Sequence, residues 1–250
     1  MRKLEDAAAD NLEDYVLTYG KVAPQLDAQC MRVASGVAAF TGIGSPLTTM
    51  KGAGEHLSVS DLDEIESFFR DHHAATVTIE MAPWVSQETG LILGERDYVL
   101  ADQEDVVARS SGGAPSGTMP RAEAMPWQAW IEIMRRTSDL PDESPTEALV
   151  SAAAQLTNAQ LFGVREGDRW IACAQSVSYD DVVIFGNDGT LPEARRRGAQ
   201  TALIEARLEA LPAGRLVMAE VAPGSGSERN YLRCGFEIAY ARWQYVKAIH

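Results

Sequence analysis

A chain of 250 residues with 46% hydrophobic composition can bury a sizeable core, and the length suits two domains better than one. Its net charge of −14, from 36 acidic and 22 basic residues, argues against a nucleic-acid partner, whose phosphates need a basic surface to neutralise them. No apolar run approaches the roughly 18 residues of a membrane span, and the opening Met-Arg-Lys-Leu-Glu-Asp turns acidic where a secretory leader would be apolar, so the sequence predicts a soluble, cytoplasmic protein without a membrane partner.

Taken in order, residues 3–18 carry Leu4, Ala7, Ala8, Leu12, Tyr15 and Val16 at helical spacing with carboxylates between them, the pattern of a surface helix. Met31 to Phe40 and Leu47 to Met50 read as short strands. Ser60-Asp61-Leu62-Asp63-Glu64 reads as a helix start with acidic residues in its first turn, and Leu62, Ile65, Phe68 and Phe69 form its apolar stripe. Ala75 to Pro83 follows as a strand, and here an internal repeat shows. Val77-Thr-Ile-Glu80-Met-Ala82-Pro83 matches Val217-Met-Ala-Glu220-Val-Ala222-Pro223 at an offset of 140 residues, with identity at Val, Glu, Ala and Pro. Two copies of one domain type account for such a repeat. The halves differ in charge: residues 1–110 hold 8 Lys+Arg and 19 Asp+Glu, net −11, and residues 111–250 hold 14 and 17, net −3.

Ser110-Ser-Gly-Gly-Ala-Pro-Ser-Gly117 is the clearest linker. It predicts a first domain over 1–112, a linker over 113–118 and a second domain over 119–250. Past it, Met119 to Met125 reads as a strand, Pro126 to Arg136 as a helix with proline at its start, and Asp142 to Leu156 as a second helix. Leu161 to Arg165, a turn at Glu166-Gly-Asp168, and Trp170 to Val177 make a hairpin, and Asp181 to Phe185 adds a strand with Gly186 marking a bulge or a close backbone approach. Cys30, Cys173 and Cys234 show neither metal-ligand spacing nor a Cys-x-x-Cys pair and read as reduced thiols. No metal is expected.

After that strand comes Gly189-Thr190-Leu191-Pro192-Glu193-Ala194-Arg195-Arg196-Arg197-Gly198-Ala199-Gln200, opening a helix whose Ala199, Ala202, Leu203, Ala206 and Ala210 recur at helical spacing. A helix start offers unpaired N–H groups and the positive end of the macrodipole to an anion. Gly198 lets a ligand approach the backbone, and three arginines raise the local potential. Downstream, Arg215 to Val221 reads as a strand, Ser225 to Cys234 as a short helix, and Gly235-Phe236 as the start of another strand.

The string Pro-x-x-Arg-x-x-Gly-x-x-x-Ala-Leu between strand and helix resembles the acyl-CoA-binding motif of the GNAT superfamily of N-acyltransferases, commonly Arg-x-x-Gly-x-Gly/Ala, with Gln200 at the last position. The order strand, short helix and Gly-Phe strand is similar to that family's second half. The resemblance covers residues 120–250 well and 30–110 in outline. It implies an α/β (α+β) fold of two GNAT-like domains, each a mixed, mostly antiparallel central sheet flanked by helices.

In the second domain the resemblance implies an acetyl-CoA diphosphate held by Arg195, Arg196, Arg197, Gly198, Ala199 and Gln200, and pantetheine paired with the backbone of Asp188, Gly189 and Thr190. Asn230 would bond the pantetheine arm or the helix end. Tyr231, four residues before Gly235, stands where many such enzymes place the tyrosine that protonates the departing sulfur, and Glu220 is the candidate base. At the repeat offset the arginine turn corresponds to Glu55-His56-Leu57-Ser58, with carboxylates following, so the first domain is expected to lack a cofactor site. Trp127, Trp130 and Met134 either line an acceptor site or belong to the core. The implied activity is transfer of acetyl from acetyl-CoA to a primary amine of a small molecule or peptide, as a monomer or homodimer. A non-catalytic acyl-CoA-binding module is the alternative.

Overall fold

The structure is a computed structural model that describes residues 1–43, 45–112, 120–137 and 144–249. The first part of the chain forms α1 (Arg2–Val22), β1 (Gln29–Val33), β2 (Gly36–Phe40), β3 (Thr49–Lys51), α2 (Val59–Asp71), β4 (Thr76–Met81), α3 (Gln87–Glu95) and β5 (Val99–Ser110). Then come β6 (Ala122–Ala124), α4 (Trp127–Thr137), α5 (Ser144–Ala154), β7 (Ala159–Glu166), β8 (Arg169–Tyr179), β9 (Val182–Thr190), α6 (Ala199–Glu209), β10 (Leu216–Val221), α7 (Gly226–Arg233) and β11 (Glu237–Ala248). The linker expected over 113–118 lies outside the described residues, as does Met119.

The chain makes two compact units, one of Met1–Asp105 with Tyr240–His250 and one of Val106–Ala239. Both divisions fall inside a strand, β5 and β11, so each of these strands serves two units. The physical reason lies in the ladder: Trp243 to Ala248 of β11 run antiparallel along Met81 to Thr76 of β4.

In the first unit β1, β2 and β3 are antiparallel neighbours, and β3 meets β4 in parallel at Met50 and Ile79. The stretch Met31 to Phe40 is split by a turn at Ala34 and Ser35, which hold φ of +48° and +66°. Such turns favour glycine or asparagine, and an Ala-Ser pair gives no advance signal. Alternation then sorts β2 between two layers. Val37 and Ala39 pack against Ala9, Leu12 and Val16 of α1, while Ala38 and Phe40 face Leu62, Ile65 and Phe69 of α2. Ser58 caps α2, two residues before the expected start, through a box in which its hydroxyl accepts from Asp61 N–H and the Asp61 carboxylate accepts from Ser58 N–H.

Charge is also buried here. Arg242, wholly buried, donates to Glu5 Oε1 from Nη2 at 2.6 Å and from Nε at 3.1 Å, and Tyr240 donates to the same oxygen at 2.5 Å. Arg242 Nη1 lies 3.6 Å from Glu80 Oε2, and Lys51 Nζ lies 3.1 Å from it. A buried guanidinium survives only when so matched.

In the second unit β6, β7, β8 and β9 pair antiparallel in that order, β9 pairs β10 in parallel, and β5 lies beyond β10. Val183 and Phe185 of β9, Val217 and Ala219 of β10, Ile204 of α6 and Tyr231 of α7 share one core with Phe236. Trp130 of α4 is fully buried and donates Nε1–H to the Ala174 carbonyl, whereas Trp127 stays 47% exposed.

The repeat is visible in the architecture: β4 and β10 begin and end 140 residues apart, and so do the caps Ser58 and Gly198. The fold is α+β, with a mixed and mostly antiparallel set of strands in each unit.

Candidate active site at the start of helix α6

Strand β9 runs on to Thr190, past residues that read as strand breakers. The register against β8 shifts between Cys173 and Gln175, and Asn187 takes φ +53° to absorb the extra residue. Alternation puts Val183 and Phe185 on the side of α6 and α7, and after the bulge Asp188 comes round to that same side. The ladder to β10 runs from Val182 with Leu216 to Phe185 with Ala219 and stops there. Glu220, half-buried, is the first β10 residue beyond it. Gly189 has a packing reason of its own, since a Cβ there would collide with Thr137 Oγ1 of α4 and crowd Cys173 Sγ. Thr190 pairs with Ala172 and its carbonyl accepts from Arg195 Nε at 3.2 Å.

The turn leaves β9 through one 3₁₀ turn at Pro192–Ala194 and reaches α6 with Arg196 at φ +63° and Gly198 at φ +81°. A left-handed arginine costs about 1 kcal/mol, while glycine holds that conformation freely. No side chain caps α6. Arg195, Arg196, Arg197 and Gly198 are exposed and Ala199 is buried. Arg197 Nη1 pairs with Glu166 at 2.9 Å, a surface contact worth at most about 1 kcal/mol. The start of α6 thus has no side-chain cap, and three exposed arginines precede it.

Behind the turn lies a polar network, half-buried at Asp188, Gln200, Ser227 and Asn230 and fully buried at Tyr231 and Arg207. Gln200 Nε2 donates to Asp188 Oδ2 at 3.1 Å and to Ser227 Oγ at 2.8 Å, and its Oε1 accepts from Asn230 Nδ2 at 2.7 Å. Asn230 Oδ1 in turn accepts from Arg233. Gln200 therefore ties α6 to β9 and α7. Tyr231, only 2% exposed, donates its hydroxyl to Asp188 Oδ2 at 2.9 Å and accepts from Arg207 Nη2 at 3.3 Å. Arg207 has no exposed surface; its Nη1 lies 2.9 Å from Asp188 Oδ1 and donates to the Gln175 carbonyl at 2.9 Å, and its Nε donates to the Leu203 carbonyl. The guanidinium also lies over the Phe185 ring, 4.3 Å from its centre.

Burial works against the Arg207 charge, but Asp188 and Tyr231 outweigh it and raise its pKa. For Tyr231, burial pushes the phenol upward, Arg207 pulls it down and Asp188 pushes it up again, leaving it well above the ordinary value.

Asp188, Gln200, Asn230 and Tyr231 are thus brought together, and the three arginines and Gly198 form the adjoining surface. Arg207 was absent from the sequence-based set. The available signal was a charge four residues beyond Leu203, on the side of α6 that is otherwise apolar. Gly186 marks the bulge that aims Asp188 in the sequence, whereas Gln175 and Ser227 carry no comparable signal.

No family model matches the sequence, and no curated protein resembles it in sequence. Solved structures do resemble it. A GCN5-related N-acetyltransferase from Kribbella flavida superposes with a TM-score of 0.66 at 14% identity, over 94% of this chain and 96% of that one. The chain has the GNAT fold. A GCN5-related N-acetyltransferase from Sphaerobacter thermophilus gives 0.62 at 14% identity, over 88% of this chain and 76% of the other. A tandem GNAT protein from the clavulanic acid biosynthesis pathway gives 0.61 at 13% identity, over 92% and 87%. The likeness to that tandem GNAT protein extends over nearly the whole of this chain. Among the described residues no helix is long and apolar enough to cross a membrane.

Proposed function

We propose that the protein is a GNAT-type N-acetyltransferase that moves an acetyl group from acetyl-CoA to a primary amine of a small molecule or peptide by direct attack in a ternary complex. The observation that carries this reading is the uncapped start of α6 at Gly198 beside three exposed arginines, at the end of a strand whose ladder to β10 has just stopped. Those features fit a diphosphate: the backbone at Gly198, Ala199 and Gln200 offers N–H groups, and Arg195, Arg196 and Arg197 offer charge-assisted bonds. The β9 backbone from Asp188 to Thr190 takes the pantetheine, with Asn230 at its flank. Acetyl-CoA supplies the acyl group activated as a thioester. Glu220 accepts the amine proton, and Tyr231 Oη donates the proton that the leaving sulfur needs.

In this reading the first unit holds no cofactor, because the Asp61 carboxylate already occupies the anion's place at the start of α2. One observation favours the rival reading of a non-catalytic acyl-CoA-binding module, namely the burial of Tyr231.

A thermal melt against rising acetyl-CoA tests the binding. A ligand at a hundred times its dissociation constant adds about 2.7 kcal/mol to the folded state. The rise in melting temperature should shrink several-fold in the double variant Arg196→Glu, Arg197→Glu. Thiol release with a panel of primary amines then separates the two readings: turnover lost in Tyr231→Phe with binding kept supports the enzyme, and no turnover in the parent supports the module. A parent melt indifferent to acetyl-CoA overturns both.

A further inference from the structure

A phenol that gives up its proton inside a protein leaves a charge that an apolar site penalises heavily. Tyr231 is 2% exposed, so a partner for that charge has to be in place beforehand. Two groups meet its oxygen: Asp188 Oδ2, which accepts its proton at 2.9 Å, and Arg207 Nη2, which donates to it at 3.3 Å. Neither partner is loose. Arg207 is anchored by the carbonyls of Leu203 and Gln175, and Asp188 by Arg207 and by Gln200 Nε2. Packing adds a third constraint, since the Phe236 ring meets the Tyr231 ring edge-on with centres 5.0 Å apart.

We propose that Asp188 and Arg207 are positioning residues for Tyr231: the carboxylate fixes the hydroxyl by accepting its hydrogen bond, and the guanidinium, already bonded to Oη, stays to stabilise the phenolate once the proton leaves. The proposal rests on the acetyltransferase reading above and adds two residues to it. Its step balances. The amine nitrogen forms a bond to the acyl carbon, the C–S bond breaks with its electron pair on sulfur, and the Tyr231 proton goes to that sulfur. The phenolate keeps its bond from Arg207 until water reprotonates it, and the proton shed by the amine goes to Glu220 or to solvent.

Asp188→Asn is the test, since it keeps the shape and removes the charge. Expected are a kcat about tenfold or more lower, a KM for acetyl-CoA within about twofold of the parent, and a displaced Tyr231 Cζ resonance in protein labelled with ¹³Cζ-tyrosine, the peak being assigned by its loss in Tyr231→Phe. Arg207→Lys, which keeps the buried charge but not the fork of donors, should lower kcat in the same way and should retain more activity than Arg207→Met. It carries the test if Asp188→Asn does not fold.

An unchanged kcat and an unmoved resonance in a folded variant, while the parent turns over, would overturn the positioning role and leave the transferase reading standing. A parent that binds acetyl-CoA but acetylates no amine would end both together. A purely structural network predicts a lower melting temperature with kcat intact.

Discussion

Helix α2 starts at Ser58 and helix α6 at Gly198, at the same point of the repeat and 140 residues apart, and the two starts satisfy their unpaired N–H groups by opposite means. The first closes on itself: Ser58 and Asp61 exchange hydrogen bonds, and Asp61 is the anion that the helix start favours. At the second, glycine replaces the capping serine, no side chain caps the helix, and three arginines precede it. The buried charge follows the same division. In the first unit Arg242 and Lys51 are matched with Glu5 and Glu80, whereas in the second the matched set of Arg207, Asp188 and Tyr231 stands directly behind the uncapped turn. One architecture can therefore close a helix start or leave it open to an anion by changing a handful of residues around one cap.

The comparison breaks most visibly if Arg242 is removed. Arg242→Met strips Glu5 of its buried partner and should cost about 3–5 kcal/mol in urea unfolding, while the melting shift given by acetyl-CoA survives. A loss that stays below about 1 kcal/mol would mean that the cluster is not holding the first unit together. The converse experiment changes Arg196 and Arg197 to Glu. Titration calorimetry should show acetyl-CoA bound about a hundredfold more weakly, as expected for two lost charge-assisted bonds, and stability should move by no more than about 0.5 kcal/mol.

Smaller effects sharpen the contrast at the caps. Ser58→Ala should lose about 1 kcal/mol and Ser58→Gly only a few tenths, because a bare cap admits water to the same N–H groups. The box also has a pH signature. Hydrogen bonds from the Ser58 side chain, and then from its backbone, hold the Asp61 carboxyl below its ordinary value. Its contribution is therefore complete above the unfolded-state value near pH 4 and fades as pH falls through the lower folded-state value. Melting curves between about pH 6 and 2.5 should converge at the acid end for the parent and Asp61→Asn, with the parent higher at pH 6; parallel curves would refute the box.

Much of this was legible in the sequence because local chemistry encodes it. The Val-Glu-Ala-Pro identities between Val77 to Pro83 and Val217 to Pro223 mark strands that begin and end in step. Ser225 and Gly198 stand at the two helix starts expected of them. What escaped the reading depends on distant contacts. Gly186 marked the bulge, but which face Asp188 takes after it is set only by the pairing of β9 with β8. Arg207 looks like any arginine in an alanine-rich helix until Phe185, Gln175 and Tyr231 enclose it. The compact units divide within β5 and β11, and no local pattern announces which strand another will choose; the expected linker at 113–118 lies outside the described residues.

The division within β11 also bears on how the protein is made. Strand β4 is complete by Met81, yet its antiparallel neighbour begins only at Glu237, so at about 5–20 residues per second the ribosome needs roughly eight to thirty seconds to supply it. Throughout that interval the nascent first unit carries an unfinished strand edge, open to pairing with any other chain. Its birth order and its completion order therefore differ: a unit begun earlier in the chain must wait for a strand that follows the whole of the other unit, and a ribosome stalled before β11 would hold a first unit that had never closed.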